Sequence, residues 1–573
     1  MGLTRLQFRF LALFLAFAGL VAGFNNCGAT RALPELSDQS QNESQPDPTP
    51  CCGDEAPGNV FYVSAQGDDS NTGTSQASPW ATIAKVNATR FTAGASVLFR
   101  GGDTFDGSLS FDQDDAGTAA QPIVVRSYGT GRATIRSGLE SGVTILNRGG
   151  FVVRDLNFKG SGRAANTGSG VHFLNDLPQN TKLGFVRVER VDVSGFGKHG
   201  IAINGAARDG SKSGYRDVRI TYVNAFDNAH TGVLVRGYWD ETSPLYANSD
   251  VYLGYIRAYA NTGVPGYTNH SGSGILLQDV DGGVIEFSVA YDNGALSDNP
   301  TGGPVGIWAA VSNNVKIQFN ESHHNTSAAK DGGGFDLDGG TTNSVVQYNY
   351  SHDNKGAGFL VYNYAGAPHR MDNLTLRYNI SQNDGSSGMG AIQIGGVMAG
   401  PVRVYNNTIY SDGAVTGTAT KSISVQSANV SVHNNIFAVR GGVRFITGAT
   451  NPNTRFIGNA YWASDGNSRF VWGTTTYTSA SAFATATGQE MLNGSLAALT
   501  ANPMFTAAGS GPTYDDPAKL VLLSNYKLSA ASMLAGAGLD LKTLYGIDPG
   551  PRDFYGSPSV RGGAPEVGAH ELP

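Results

Sequence analysis

Val315–Asn320 reads VKIQFN, Ser344–Asn349 SVVQYN, Leu374–Asn379 LTLRYN, Val402–Asn407 VRVYNN and Val430–Asn435 VSVHNN. Related hexamers open at Val152 (VVRDLN), Val186 (VRVERV), Val218 (VRITYV), Val251 (VYLGYI), Val284 (VIEFSV) and Thr454 (TRFIGN). In chain order the starts are 34, 32, 33, 33, 31, 29, 30, 28, 28 and 24 residues apart. Self-similarity at so steady a period marks a solenoid, in which each unit buries its apolar face only by stacking on the next. Apolar and polar residues alternate within each hexamer, the pattern of a strand with one buried face. The sixth position is Asn in the later units: Asn320, Asn349, Asn379, Asn407, Asn435 and Asn459. Stacked strands lie ~4.8 Å apart, so these amides fall in file and can hydrogen-bond along the stack. They read as structure.

Seven units carry a second signal of Gly, apolar, any, apolar, starting at Gly170, Gly200, Gly232, Gly274, Gly306, Gly334 and Gly358. Glycine supplies the backbone freedom of a tight corner. Short strands and sharp turns in ~30 residues predict one coil of a parallel β-helix, and no stretch holds the 3.6-residue period of a helical repeat. The expectation is an all-β chain, a right-handed parallel β-helix solenoid of about 11 to 13 coils with N- and C-terminal caps.

The ends of the repeat array carry further motifs. Phe61–Ile83 reads FYVSAQGDDSNTGTSQASPWATI, and Asp553–Glu571 reads DFYGSPSVRGGAPEVGAHE. Together with the coils, these make the chain resemble the right-handed parallel β-helix proteins of the pectate-lyase-like superfamily. The resemblance covers roughly residues 59–573. The fold it implies hosts lyases, hydrolases, epimerases and binding proteins, so activity has to be argued from a site.

Residues 1–23 read as a signal peptide, with Arg5 and Arg9 ahead of the apolar run Phe10–Gly23. Residues 24–58 read as a flexible linker rich in Pro, Ser and Gln, with Cys27 a candidate lipid anchor. Residues 59–145 are assigned to the N-terminal cap and first coils, 146–475 to the core of the helix, and 476–573 to C-terminal coils and cap. The expected location is secreted or cell-envelope, lipid-anchored if Cys27 is acylated, and the expected state is a monomer. Cys51 and Cys52 are the other two cysteines, and the β-helix itself holds none. The formal net charge is −7, from 39 Lys and Arg against 46 Asp and Glu. No basic run tracks a phosphate backbone, which argues against a nucleic-acid partner.

One coil breaks the pattern. Lys330–Gly340, KDGGGFDLDGG, puts Asp336 and Asp338 on the same face of one strand, ~6.6 Å apart, with Asp331 just before the corner. Paired carboxylates at about that separation suit glycoside hydrolysis, one protonating the leaving oxygen and the other activating water. Asp336 and Asp338 are the candidate catalytic residues, and Asp331 is a candidate calcium ligand or turn residue. Trp308, Tyr362, Arg236, Lys355 and Trp239 are the candidate substrate-binding residues. His199, His230, His270, His323, His324 and His352 lie near corners, without the spacing of a metal motif. The resemblance implies a second chemistry for the same residues: β-elimination, with Lys355, Lys330, Tyr362 or Arg236 as base or neutraliser and the three aspartates holding calcium. The leading expectation is thus an exported hydrolase of a polysaccharide that needs no cofactor. Its alternatives are a calcium-assisted polysaccharide lyase and a non-catalytic glycan-binding surface protein.

Overall fold

The computed structural model describes residues 59–559 and 564–572. The expected signal segment, the linker and all three cysteines lie outside the described residues. The remainder is a parallel β-solenoid of about 12 turns. Each turn contributes two short strands to a 25-stranded sheet, here sheet A, and one Gly-led strand to a 14-stranded sheet, sheet B. All pairings between coils are parallel, in register from one unit to the next. The interior is one continuous apolar file, with Val171, Ile201, Val233, Ile275, Ile307, Phe335 and Phe359 fully or almost fully buried on the inner face of sheet B.

The hexamer is a corner rather than a straight strand. In the later coils its fifth residue takes a left-handed conformation, as at Phe319 (φ 56°), Tyr348 (φ 59°) and Tyr378 (φ 49°). That backbone costs a non-glycine residue about 1–2 kcal/mol, and two ladders offset it. Outside, Tyr222, Tyr255, Phe287, Phe319, Tyr348 and Tyr378 stack ring on ring at 4.6 to 6.0 Å. Inside, the expected asparagine ladder runs from Asn320 to Asn459, each Nδ2 donating to the next Oδ1 at 2.9–3.1 Å. It ends on Glu490, whose carboxylate accepts from Asn459 Nδ2 at 2.7 Å. A second amide ladder, Asn228–Asn261–Asn293–Asn325–Asn354, ends on Asp384. Its spacings of 33, 32, 32, 29 and 30 residues were legible in the chain.

The expected further coils in 476–573 give way to a strap. After Phe470–Trp472 a short antiparallel strand, Thr475–Tyr477, and a helix, Ala480–Thr487, close the end of the stack. The chain then returns along the outside of sheet A. Leu520, Leu523, Tyr526, Phe554 and Val567 bury Tyr350, Ile380, Tyr410 and Ile436. The apolar stretch there winds into short 3-10 turns, Pro517–Leu522 and Ser524–Tyr526, whose side chains cover the apolar sheet face.

Candidate active site

Register fixes what lies along the outer face of sheet B. One row runs His172, Ala202, Leu234, Leu276, Trp308, Asp336, Leu360 and Gln393. The neighbouring row runs through Asn204 and Arg236, then Gln278 and Ala310, then Asp338 and Tyr362. The sequence reading places both rows in the open. The structure instead buries the middle of the first: Leu234, Leu276 and Trp308 are 3%, 0% and 4% exposed, packed with Val305, Ala310 and Val311. Trp308 is therefore no sugar platform. Its ring meets the edge of His270 at 4.9 Å, and its Nε1 lacks a partner. Part of the cover comes from the long connection after Asn261, through His270, a connection whose length the sequence displays but whose path it does not.

Asp336 and Asp338 lie on Gly333–Asp338, flanked in register by Trp308, Leu360 and Tyr362. Glycine is obligatory beside them. A Cβ on Gly334 would lie 2.3 Å from Ser351 Oγ, and one on Gly339 would lie 2.5 Å from the ring of Tyr364. Asp336 is only 3% exposed, against the expectation of an open carboxylate, and its Oδ1 has no hydrogen-bond partner. Burial, and next the charges of Asp338 and Asp331, hold its carboxyl well above the usual range. Asp338 keeps partial solvent access. Burial pushes its carboxyl up to about 7, opposed by the Gly339 N–H and assisted by Asp331. Asp331 takes a left-handed turn (φ 60°) and accepts the Gly303 N–H at 2.7 Å. Burial raises its carboxyl too. Three acids thus share one low-dielectric recess, the arrangement that separates a protonated from an ionised carboxyl near neutral pH.

A wall stands over this recess. Trp239, on the connection after Arg236, stacks on Tyr364 at 6.3 Å, and Tyr246 meets His369 at 4.5 Å. The base of that connection is pinned by a buried ion pair, Lys212 Nζ to Asp279 Oδ2 at 2.8 Å. Lys212 also donates to the Tyr238 carbonyl, and Asp279 accepts the Ala247 N–H. The wall reaches across four coils and brings residues near 239 and 246 to residues near 364 and 369. Tyr364 was missed in the sequence. Nothing in its repeat position marks it, since its role depends on the loop that crosses to it. Asp338, Asp336 and Glu241, after burial, raise its phenol above the ordinary value.

The remaining candidates divide. Tyr362, 44% exposed, lies beside Asp338 and over Gly395, open to a ligand. Trp239 is 43% exposed on the wall. Arg236 is three coils from Asp338, open to solvent while enclosed by protein on its other sides. Lys355 is not brought to the acids as a free amine, because its Nζ is spent on the Ser327 carbonyl. His323 and His352 stack at 4.8 Å, yet on sheet A under the strap, away from the aspartates. His352 bridges Asp353 and Glu321 there. Among the described residues no three His, Cys, Asp or Glu side chains converge as a metal-holding set, and Asp331 holds the turn amide of Gly303.

Fold and recess together define a parallel β-helix with a cluster of buried acids on one face. No protein-family model matches the chain. In an alignment 472 positions long that covers 66% of the chain, it is 27% identical to a lacto-N-biosidase of Bifidobacterium longum subsp. longum, and it spans 29% of that relative. The chain thus covers less than a third of the curated relative it matches. Among solved structures it is similar to the GH136 lacto-N-biosidase of Eubacterium ramulus, with TM-score 0.48 and 17% identity over 72% of this chain and 68% of that one. It is also similar to the pectate lyase Pel9A, with TM-score 0.42 and 17% identity over 90% and 96%. At these scores the likeness reaches no further than the repeat architecture already defined by the strand pairing.

Proposed function

We propose that the chain is a glycoside hydrolase that cleaves a glycan lying along sheet B, with Asp336 and Asp338 as its two carboxyls. The observation that carries the reading is their placement on one face of one strand, with both carboxyls raised and one still open to solvent. Asp336, held protonated, donates its proton to the glycosidic oxygen as the bond from that oxygen to the anomeric carbon breaks. Asp338, ionised, takes a proton from water as the water oxygen bonds to that carbon. The water and the two carboxyls account for every proton moved. Tyr362 and Trp239 offer faces for sugar rings. The likeness to a lacto-N-biosidase over two thirds of the chain supports glycosidase chemistry, with an oligosaccharide as substrate.

A panel of glycans tests this directly. New reducing ends without rising ultraviolet absorbance are expected. Absorbance from a new double bond would assign a lyase instead, and retention without cleavage would assign a binding protein. Asp336→Asn and Asp338→Asn should each lower turnover at least a hundredfold, and unchanged cleavage in both refutes the site. Under the same proposal the protein is exported and tethered through Cys27, which metabolic labelling with a fatty acid would mark.

A further inference from the structure

Away from the three aspartates, Arg236 occupies the other end of the same row. It makes no hydrogen bond or ion pair among the described residues, and no carboxylate contributes to its environment, only burial and Tyr267. Its side chain is exposed, so the guanidinium fork is free to meet an oxyanion brought by a ligand. Around it stand His172, His199, His230 and His270, which burial holds neutral, His172 and His270 titrating near 4. Lys198 is exposed nearby, and Tyr267 is 41% exposed against the His230 ring at 4.7 Å. Asn204, one coil before Arg236 in register, is 8% exposed and its Oδ1 is unpartnered. Its Nδ2 is turned to His172 Nε2 at 3.2 Å. His199 Nδ1 and His270 Nδ1 are likewise buried without partners. Fixed positive charge and several unused polar atoms lie close together, and Gln278 and Ala310 separate them from Asp338 without any charge.

We infer that the surface at Arg236 seats an acidic group, a carboxylate or a sulfate ester, carried by the glycan three coils, about 14 Å, from Asp338. Arg236 forms the paired bonds that a planar fork offers to such an oxyanion, and the neutral imidazoles and Asn204 bond the sugar hydroxyls around it. The inference rests on the glycan reading and narrows it to acidic oligosaccharides.

The test uses the full chain carrying Asp338→Asn, so that ligands persist, on a glycan array with sialylated, uronate-containing, sulfated and matched neutral members. Acidic members should bind at least tenfold better than their neutral parents, and Arg236→Gln should abolish that preference. Added sodium chloride should weaken it without any substitution. The class retained identifies the acid. Neutral glycans bound as well as acidic ones, an Arg236→Gln protein with unchanged preference, or no binding at all would each overturn the inference. Acidic glycans bound but never cut by the unsubstituted chain would refute the hydrolase reading and leave this one standing. Neutral glycans cut without acidic preference would do the reverse.

Discussion

Asp338→Asn should make the protein more stable while destroying its activity, and only above about pH 4. Burial pushes the carboxyl up to about 7 in the fold, against an ordinary value of 3.8. Below 3.8 both folded and unfolded chains hold the proton, and the carboxyl is neutral in its recess. As pH rises from 3.8 toward 7 the unfolded chain releases its proton and the folded chain cannot, so stability falls. Above 7 the loss is complete. At 1.36 kcal/mol per unit, a shift of roughly three units corresponds to about 4 kcal/mol. Asparagine keeps an oxygen for the Gly339 N–H and removes the charge, so it recovers most of that sum. For a unit of about 500 residues, with an unfolding entropy of about 1 kcal/mol per degree, the gain is about 4 °C in Tm at pH 8. Thermal unfolding of both proteins from pH 3.5 to 8.5 checks it. The curves should coincide near pH 3.5 and separate progressively to pH 7. A separation that is independent of pH, or a less stable variant at pH 8, would falsify the view of Asp338 as a strained, functional acid.

Three further outcomes follow from the geometry. Asn379→Ala removes the amide that donates to the Val346 carbonyl and to Asn407 while accepting from Asn349; it leaves buried partners unpaired and should cost about 4 kcal/mol in denaturant unfolding, whereas an exposed Asn such as Asn373 should cost little. Tyr362→Ala and Trp239→Ala should each raise KM several-fold, about 1 kcal/mol, with kcat nearly unchanged in steady-state kinetics; an equal fall in kcat would place them in the chemistry instead. The hydrogen bonds from His352 to Asp353 and Glu321 outweigh its burial and push it up to about 9, so the stability it lends is complete below pH 6.5 and lost as pH rises through 9. Glu321 also accepts the Tyr514 N–H of the strap, and amide exchange at residues 510–516, corrected for intrinsic rate, should accelerate between pH 7.5 and 9.5.

The repeat was open to reading because each coil meets the same requirement as its neighbours. Asn320 through Asn459 recur since every corner has the same backbone donors to satisfy, and Asp336 and Asp338 stood out since no corner needs them. What the chain did not disclose was which part of sheet B is covered. Leu234, Leu276 and Trp308 alternate just as solvent-facing residues would, yet they are buried, because the cover descends from loops outside the repeat. The same holds for Tyr364, which matters only once Trp239 crosses to it, and for Lys355, whose tie to Ser327 depends on the neighbouring corner. Local period predicts strands and ladders. Contacts made by insertions have no period.

The connection from Gly237 to Ala247 carries a consequence of its own. It starts on one coil, is clamped there by Lys212 and Asp279, and ends against side chains four coils further on, leaving the hydrogen bonds of the stack untouched. Scaffold and roof are thus separate parts. Under the proposed activity, change in the roof would alter which sugars fit while the acids beneath keep their places.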